Sequence, residues 1–475
     1  MFLQESFVFY SERVALQKLE VADCPKLTLL AGAVSHQSSL TTLTITNVSH
    51  IELHAESVSV SRLRRLAISD SAITTIHSGA FKASMVDSPA VSISIENVRR
   101  LNVKSKAFAG IRSFTAMHVE ELLFEPNAFK LKVPTEEPTI NLKFWNISSP
   151  ALSPNVFPSS FKSVTISQSS IEKVNANAFS GLQMVNITFA GVSIARIERG
   201  AFSDRAGIGS LTFRGCNISS LSQKSVVAGV SRFVMQDSVI QSISKHGAIN
   251  ATVATVRIVN NRFRTLGQES FQFISWDSVI INNNTFDFLE QGSLNAVKAP
   301  SEDGQASFSF TDNFIGGANY KSLQLQVPTW VQATVRGNRF GQTCSCKLEK
   351  YLQSVTGHTD LSSPFLDLTP SLRNSSSCRV AGRSRLCFPS PAAAISRYTT
   401  LMCTGPPGPA CARQPAGPEE DLSLSGGNST HSLYLEFQQL FQVKTTKGIL
   451  LFLLFCVLSS VITVTICVGS VWVHR

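Results

Sequence analysis

Six cysteines between positions 344 and 411 are the residues best placed to do chemistry: Cys344, Cys346, Cys378, Cys387, Cys403 and Cys411. Cys344 and Cys346 form a C-x-C pair. Thiolates so spaced either hold a metal such as zinc or oxidise to disulfides. No histidine stands at ligand spacing beside them, so oxidation in a secretory compartment is the expected chemistry, and no metal or other cofactor is expected. Spacing alone leaves fifteen pairings of six cysteines open. Sequons for N-glycosylation begin at Asn47, Asn146, Asn186, Asn217, Asn250, Asn283, Asn374 and Asn428 and point to the same compartment.

Catalytic constellations are not found. The chain contains no GxSxG, HExxH, Walker or GxGxxG motif, and its nine histidines, His50, His118 and His246 among them, are scattered. Asp70, Glu96, Asp237, Asp277 and Asp312 fall at expected exposed strand positions. Clustered on one sheet, such acids would suit a polysaccharide-acting enzyme, but most of these are far apart in the chain; Asp277 and Asp312 are the nearest pair. No catalytic residue is therefore assigned. The net charge of +10 over 475 residues permits an acidic partner but does not imply nucleic acid.

These residues must be positioned by a repeat of 21–29 residues. Val253–Phe271 and Trp276–Leu294 superpose with apolar residues at relative positions 1, 4, 6, 11, 14 and 19 and Asn at position 9. A period of this length signals a solenoid, whose turns bury apolar side chains only by stacking. Position 19 runs Val34, Val58, Phe81, Phe108, Phe129, Phe157, Phe179, Phe202, Val226, Ala248, Phe271, Leu294 and Leu323. Alternating apolar pairs at positions 4 and 6, such as Val164/Ile166 and Ile187/Phe189, predict a brief strand in each turn. Loops, short helical turns or extended segments are expected on the convex side.

The pattern resembles the leucine-rich repeat, LxxLxLxxNxLxxLxxxxF, over about Val14 to Phe340. The resemblance implies a curved β-solenoid of some 14 turns with a parallel sheet on its concave side. It also implies an inward ladder at position 9, occupied by Cys24, Cys216, Asn261, Asn284, Asn313 and Asn338, with the two cysteines as buried free thiols. Ser or an apolar residue takes that position in the other turns, which admits a parallel β-helix as a neighbouring fold. Asn338–Leu352, NRFGQTCSCKLEKYL, resembles the start of the C-terminal cysteine cap of extracellular leucine-rich-repeat proteins. That resemblance implies the pairings Cys344–Cys387 and Cys346–Cys403, with Cys378–Cys411 as an extra bridge.

On the concave face, Arg64, Arg65, Arg112, Lys162, Arg214, Arg232, Arg257 and Arg336 are candidates for a loose basic ridge facing an acidic protein or glycan. A glycan at Asn186 would obstruct that face.

Gly448–Val473 has 26 residues without a charge, enough for one transmembrane helix. The opening residues lack a signal-peptide pattern, so the natural N-terminus is expected to lie upstream. The expected organisation is an N-terminal segment (1–13), the solenoid (14–341), a cysteine cap (342–411), a stalk (412–447), the span (448–473) and a two-residue cytoplasmic tail (474–475). The whole reads as a single-pass plasma-membrane protein with an extracellular solenoid. It would act in adhesion, or as a receptor or co-receptor for a protein or glycan ligand, and would not signal alone. The alternatives are a β-helix enzyme acting on polysaccharide and a lipid-anchored repeat protein.

Overall fold

A computed structural model describes residues 2–3, 16–34, 39–58, 63–81, 91–108, 111–131, 140–181, 183–245, 249–294, 306–325, 327–357 and 365–404. All lie within one compact unit, Met1–Ala412. The expected span, stalk and tail, with Cys411 and Asn428, lie outside the described residues. Among the described residues, no helix is long and apolar enough to cross a membrane.

Each turn of the chain is a rung, and successive rungs pair in parallel. The main sheet runs from Lys18–Leu29 through Thr42–Leu53, Arg65–Ile76, Val91–Val103, Ile111–Phe124 and Asn141–Ser149 to Phe161–Ser167, and on to Gln332–Arg336. Its register keeps like positions together: Ile187 stands between Val164 and Leu211, and Phe189 between Ile166 and Phe213. Alternation at period two turns these residues inward, where they are fully buried.

The other side of each rung, expected to hold loops, short helical turns or extended segments, is extended and forms a second parallel sheet. Ser170–Val174, Ser193–Ile197, Asn217–Leu221 and Val239–Ile243 stack in register and bury Ile171/Val174, Ile194/Ile197, Ile218/Leu221 and Ile240/Ile243. In the first rungs both sides belong to one long bent strand, as in Thr42–Leu53. A third side carries isolated parallel bridges between position-19 residues, Phe157 to Phe179 to Phe202 to Val226. There Ile249, rather than Ala248, continues the row, bridging Val226 and pairing with Phe271. The cross-section is therefore three-sided, with the core inside.

Two of its corners depend on one residue per rung with positive φ. The first corner follows the main strand and runs Asp23, Asn47, Asp70, Asn97, His118, Asn146, Gln168, Gly191, Gly215, Asp237, Asn260, Asn283, Asp312 and Gly337. Left-handed backbone suits Asn, Asp and Gly best, which explains most of this row. At Gly337 an added Cβ would also meet Asp312 Oδ1 at 2.1 Å. The second corner uses Glu56, Gly79, Lys106, Asn127, Asn155, Asn177 and Gly200, each donating its N–H to the carbonyl of the next.

The core is filled by a phenylalanine stack along the position-19 row. Phe157 and Phe179 lie 5.0 Å apart, and Phe179 and Phe202 4.9 Å apart with nearly parallel rings. Offset stacking at this spacing matches the repeat of parallel strands.

After the last rung, Arg339–Thr343 pairs with Ser377–Arg379, and the helix Leu348–Thr356 buries Leu348, Leu352 and Val355. Its final carbonyls would otherwise lack partners. Those of Ser354 and Val355 accept N–H groups of Lys321 and Leu323. Cys344 bonds to Cys378 and Cys346 to Cys403. The expected Cys344–Cys387 and Cys378–Cys411 pairings are corrected. Cys387 is disulfide-bonded, but not to Cys344. The reason is local. Strand pairing brings Cys344 N–H to Arg379 O at 2.9 Å and its Cα to 5.2 Å from that of Cys378.

Candidate functional site

Two features could face a partner, the outward side of the main sheet and the crease at its first corner, and a buried inward ladder holds the crease in shape.

The ladder is continuous from Cys216 to Asn338. Cys216 N–H donates to Ser238 Oγ, Ser238 N–H to Asn261 Oδ1, Asn261 N–H to Asn284 Oδ1, Asn284 N–H to Asn313 Oδ1 and Asn313 N–H to Asn338 Oδ1, at 2.9–3.0 Å. Each amide then donates backwards, as Asn284 Nδ2 does to Ile258 O at 2.9 Å. Every link satisfies a backbone group that leaves the strand inside a dry core. Cys216 is a buried free thiol, pushed above the usual thiol range by burial. Cys24 is free but only half-buried. In the other rungs Val48, Val98, Val119, Ile147 and Val192 fill the place by packing alone, and Ser169 Oγ accepts Ile147 N–H.

Along the crease the left-handed residues also bond to one another on the outside. Asn47 Nδ2 donates to Asp23 Oδ1 at 2.6 Å, Asn97 Nδ2 to Asp70 Oδ1 at 3.0 Å and Asn283 Nδ2 to Asn260 Oδ1 at 2.7 Å. Asn146 Nδ2 lies 2.8 Å from His118 Nδ1. Position 9 announces itself in the sequence as Asn or Cys. The corner row varies from Asp to His to Gln, and only its frequent Asn, Asp and Gly could have marked it.

The crease widens into a trough of about 860 Å³. Its floor is the corner row Asp70, Asn97, His118, Asn146 and Gln168, and Arg99 and Glu120 stand on its second-sheet wall. Trp145 lies beside it on the main face, 36% exposed, with its ring edge-on to His118 at 4.5 Å. Sequence reasoning missed Trp145. Its signal was phase, since it follows the inward Phe144 and must point out.

The remaining outward face is dominated by hydroxyls. One row reads Ser92, Ser113, Asn141, Ser163, Asn186 and Ser210, and the next reads Ser94, Thr115, Lys143, Thr165, Thr188 and Thr212. Arg64, Arg65, Arg112, Lys162, Arg214, Arg232, Arg257 and Arg336 are all exposed, but the expected ridge does not form. Arg65 is flanked in register by Thr42 and Ser92, Arg232 by Ser210 and Thr255, and Arg257 by Val234 and Ile280. Arg214, Arg232 and Arg257 stand at three different positions along three successive strands, in no continuous line.

The acids do not converge either. Asp277 precedes its strand and Asp312 follows the next one, at opposite ends and roughly 20 Å apart along the strand direction. Asp70 and Asp237 accept amides from Asn97 and Asn260. The sequon residues Asn47, Asn146, Asn186, Asn217, Asn283 and Asn374 are exposed. Asn250 lies in the strand Ile249–Val259.

Comparison with known families agrees with this geometry. A model described as BspA type leucine rich repeat region, in 6 copies, matches residues 87–208 and 151–272. The two matches overlap and cover the middle rungs, and they support a leucine-rich-repeat family. No curated protein matches the chain. The described unit is a parallel β-solenoid whose middle rungs match a leucine-rich-repeat model and carry two short strands each.

Proposed function

We propose that the chain is a cell-surface recognition protein that binds a protein ligand through the main face of its solenoid. The observation that carries this reading is Trp145 beside the polar trough. A half-exposed tryptophan on a rigid sheet, next to donors and acceptors already fixed by the corner row, is the composition of a binding hot spot. A preformed face of this size loses little conformational entropy on binding.

Disulfides after the last rung, the exposed sequons at Asn217 and Asn374 and the uncharged run 448–473 support an extracellular solenoid at the plasma membrane, and binding through this face requires Asn146 and Asn186 to stay unglycosylated. We read the disulfide-stapled segment as the cap that covers the open end of the core, and the chain as an adhesion molecule or a receptor or co-receptor. A bound glycan is the alternative ligand, favoured by the amide-rich floor of the trough.

The test uses cells displaying the full chain. Thr165→Asn creates a sequon, with Ile166 and Ser167 as its second and third residues, in the middle of the main face. Partner capture by surface proximity labelling should be lost in T165N and fall at least tenfold in W145A, while a sequon on the second sheet leaves it intact. Capture unchanged by both variants would move binding off this face. If enzymatic deglycosylation shifts no band and the clustered cysteines all alkylate without reduction, the surface placement fails.

A further inference from the structure

We propose that Glu52, His54 and His77 form a binding site for a divalent transition metal, Zn²⁺ foremost, that clips two successive rungs together. The site lies at the far end of the second side of the solenoid, away from the trough. Glu52 is the penultimate residue of the strand Thr42–Leu53, His54 follows that strand, and His77 is His54's counterpart on the next rung: His54 N–H bonds to Leu29 O and His77 N–H to Leu53 O. One ligand atom from each of the three side chains lies within 4.8 Å of the others.

The distances suit a small tetrahedral ion. His54 Nε2 is 3.4 Å from Glu52 Oε2. Zinc bonds to imidazole nitrogen and carboxylate oxygen of about 2.0–2.2 Å place two ligand atoms roughly 3.3–3.5 Å apart. Those two atoms therefore already span one edge of the tetrahedron. The two imidazoles stack with centroids 4.4 Å apart and planes 10° from parallel. Both rings must rotate well out of this stack, about their side-chain torsions, for their in-plane nitrogen lone pairs to converge on one ion. Two imidazoles and one carboxylate favour zinc or copper over calcium or magnesium, which take oxygen ligands. The half-exposed setting leaves the fourth position to water.

Neighbouring groups organise the set. Lys26 Nζ holds the other carboxylate oxygen, Glu52 Oε1, at 3.1 Å and leaves Oε2 for the metal. Outer-sphere anchoring of this kind orients a ligand and raises affinity. On the far side of His77, Lys104 is paired with Glu125 at 2.8 Å, and Glu125 also accepts Ser105 N–H, so the Lys104 charge is largely compensated.

The probe is Zn²⁺ alone, titrated calorimetrically into the chelator-treated full chain. One tight equivalent is expected. It should be lost in His54→Ala and His77→Ala and weakened at least tenfold in Glu52→Gln, while His50→Ala and Cys24→Ser bind as wild type. Equal affinity in wild type, H54A and H77A would overturn the site. Zinc-edge X-ray absorption on the wild-type chain is the independent check, should a variant misfold. Two imidazoles with oxygen sustain the proposal, and sulfur in the first shell sinks it.

Discussion

Asn284 sits in the middle of the inward ladder and serves five partners. Its Oδ1 accepts the N–H and Nδ2 of Asn261, and its Nδ2 donates to Ile258 O, Asn282 O and Asn313 Oδ1. Truncation to alanine leaves at least a backbone N–H and a carbonyl buried without partners. Each orphaned group costs about 1–3 kcal/mol. Asn284→Ala should therefore shift the denaturant midpoint far more than Asn260→Ala, whose side chain bonds at the surface. A second residue-scale expectation concerns acid. His77 is held below its unfolded value of 6.5, chiefly by burial. The folded state then binds fewer protons than the unfolded state between the two values, so stability rises with pH across that window. It is complete above about pH 6.5 and falls as pH drops toward the folded value. Glu52 and Glu125, lowered chiefly by Lys26 and Lys104, give a further loss as pH falls through the carboxylate range. In a chelator-containing buffer, His77→Gln should flatten the slope just below about pH 6.5. An unchanged slope would mean that burial of His77 is not what the acid limb reports.

At the scale of elements, the phenylalanine stack and the two short strands hold a rung on its neighbours. Phe179 contacts Phe157, Phe189 and Phe202 and is fully buried. Phe→Ala in such a core costs about 3–5 kcal/mol. Phe288, exposed on the second sheet, should cost within about 0.5 kcal/mol. Chemical denaturation of Phe179→Ala and Phe288→Ala would expose any error in the assigned phase. That phase was legible because the main strand marks it twice, with alternating apolar residues and with Asn or Cys at position 9. The second strand was not. In Ser170–Val174 only Ile171 and Val174 point inward, too short a pattern to separate from a loop. Nor does the sequence announce left-handed corners when they are filled by His118, Gln168 or Lys106. The cysteine pairing failed for a different reason. It depends on Ser377–Arg379 joining the sheet beside Arg339–Thr343, a contact across two intervening helices, Leu348–Thr356 and Thr369–Ser375. The basic ridge failed because Arg214, Arg232 and Arg257 occupy different repeat positions, and strands paired in register keep them apart.

At the scale of the whole molecule, each rung touches only the rung before and the rung after it, so cohesion is a chain of nearest-neighbour contacts. That arrangement has a mechanical meaning. Tension applied between the two ends runs along the solenoid axis, across the hydrogen bonds that join the rungs rather than along the strands. Those bonds are loaded one ladder at a time. With 23 residues between Asn261 and Asn284, a peeled rung would release about 80 Å of slack. A single-molecule pulling trace should therefore show a train of small, evenly spaced drops instead of one large rupture. The segments closed by Cys344–Cys378 and Cys346–Cys403 would keep their length until a reductant is added. A solenoid built this way would extend by stages under tension and absorb the load as a spring that yields one coil at a time.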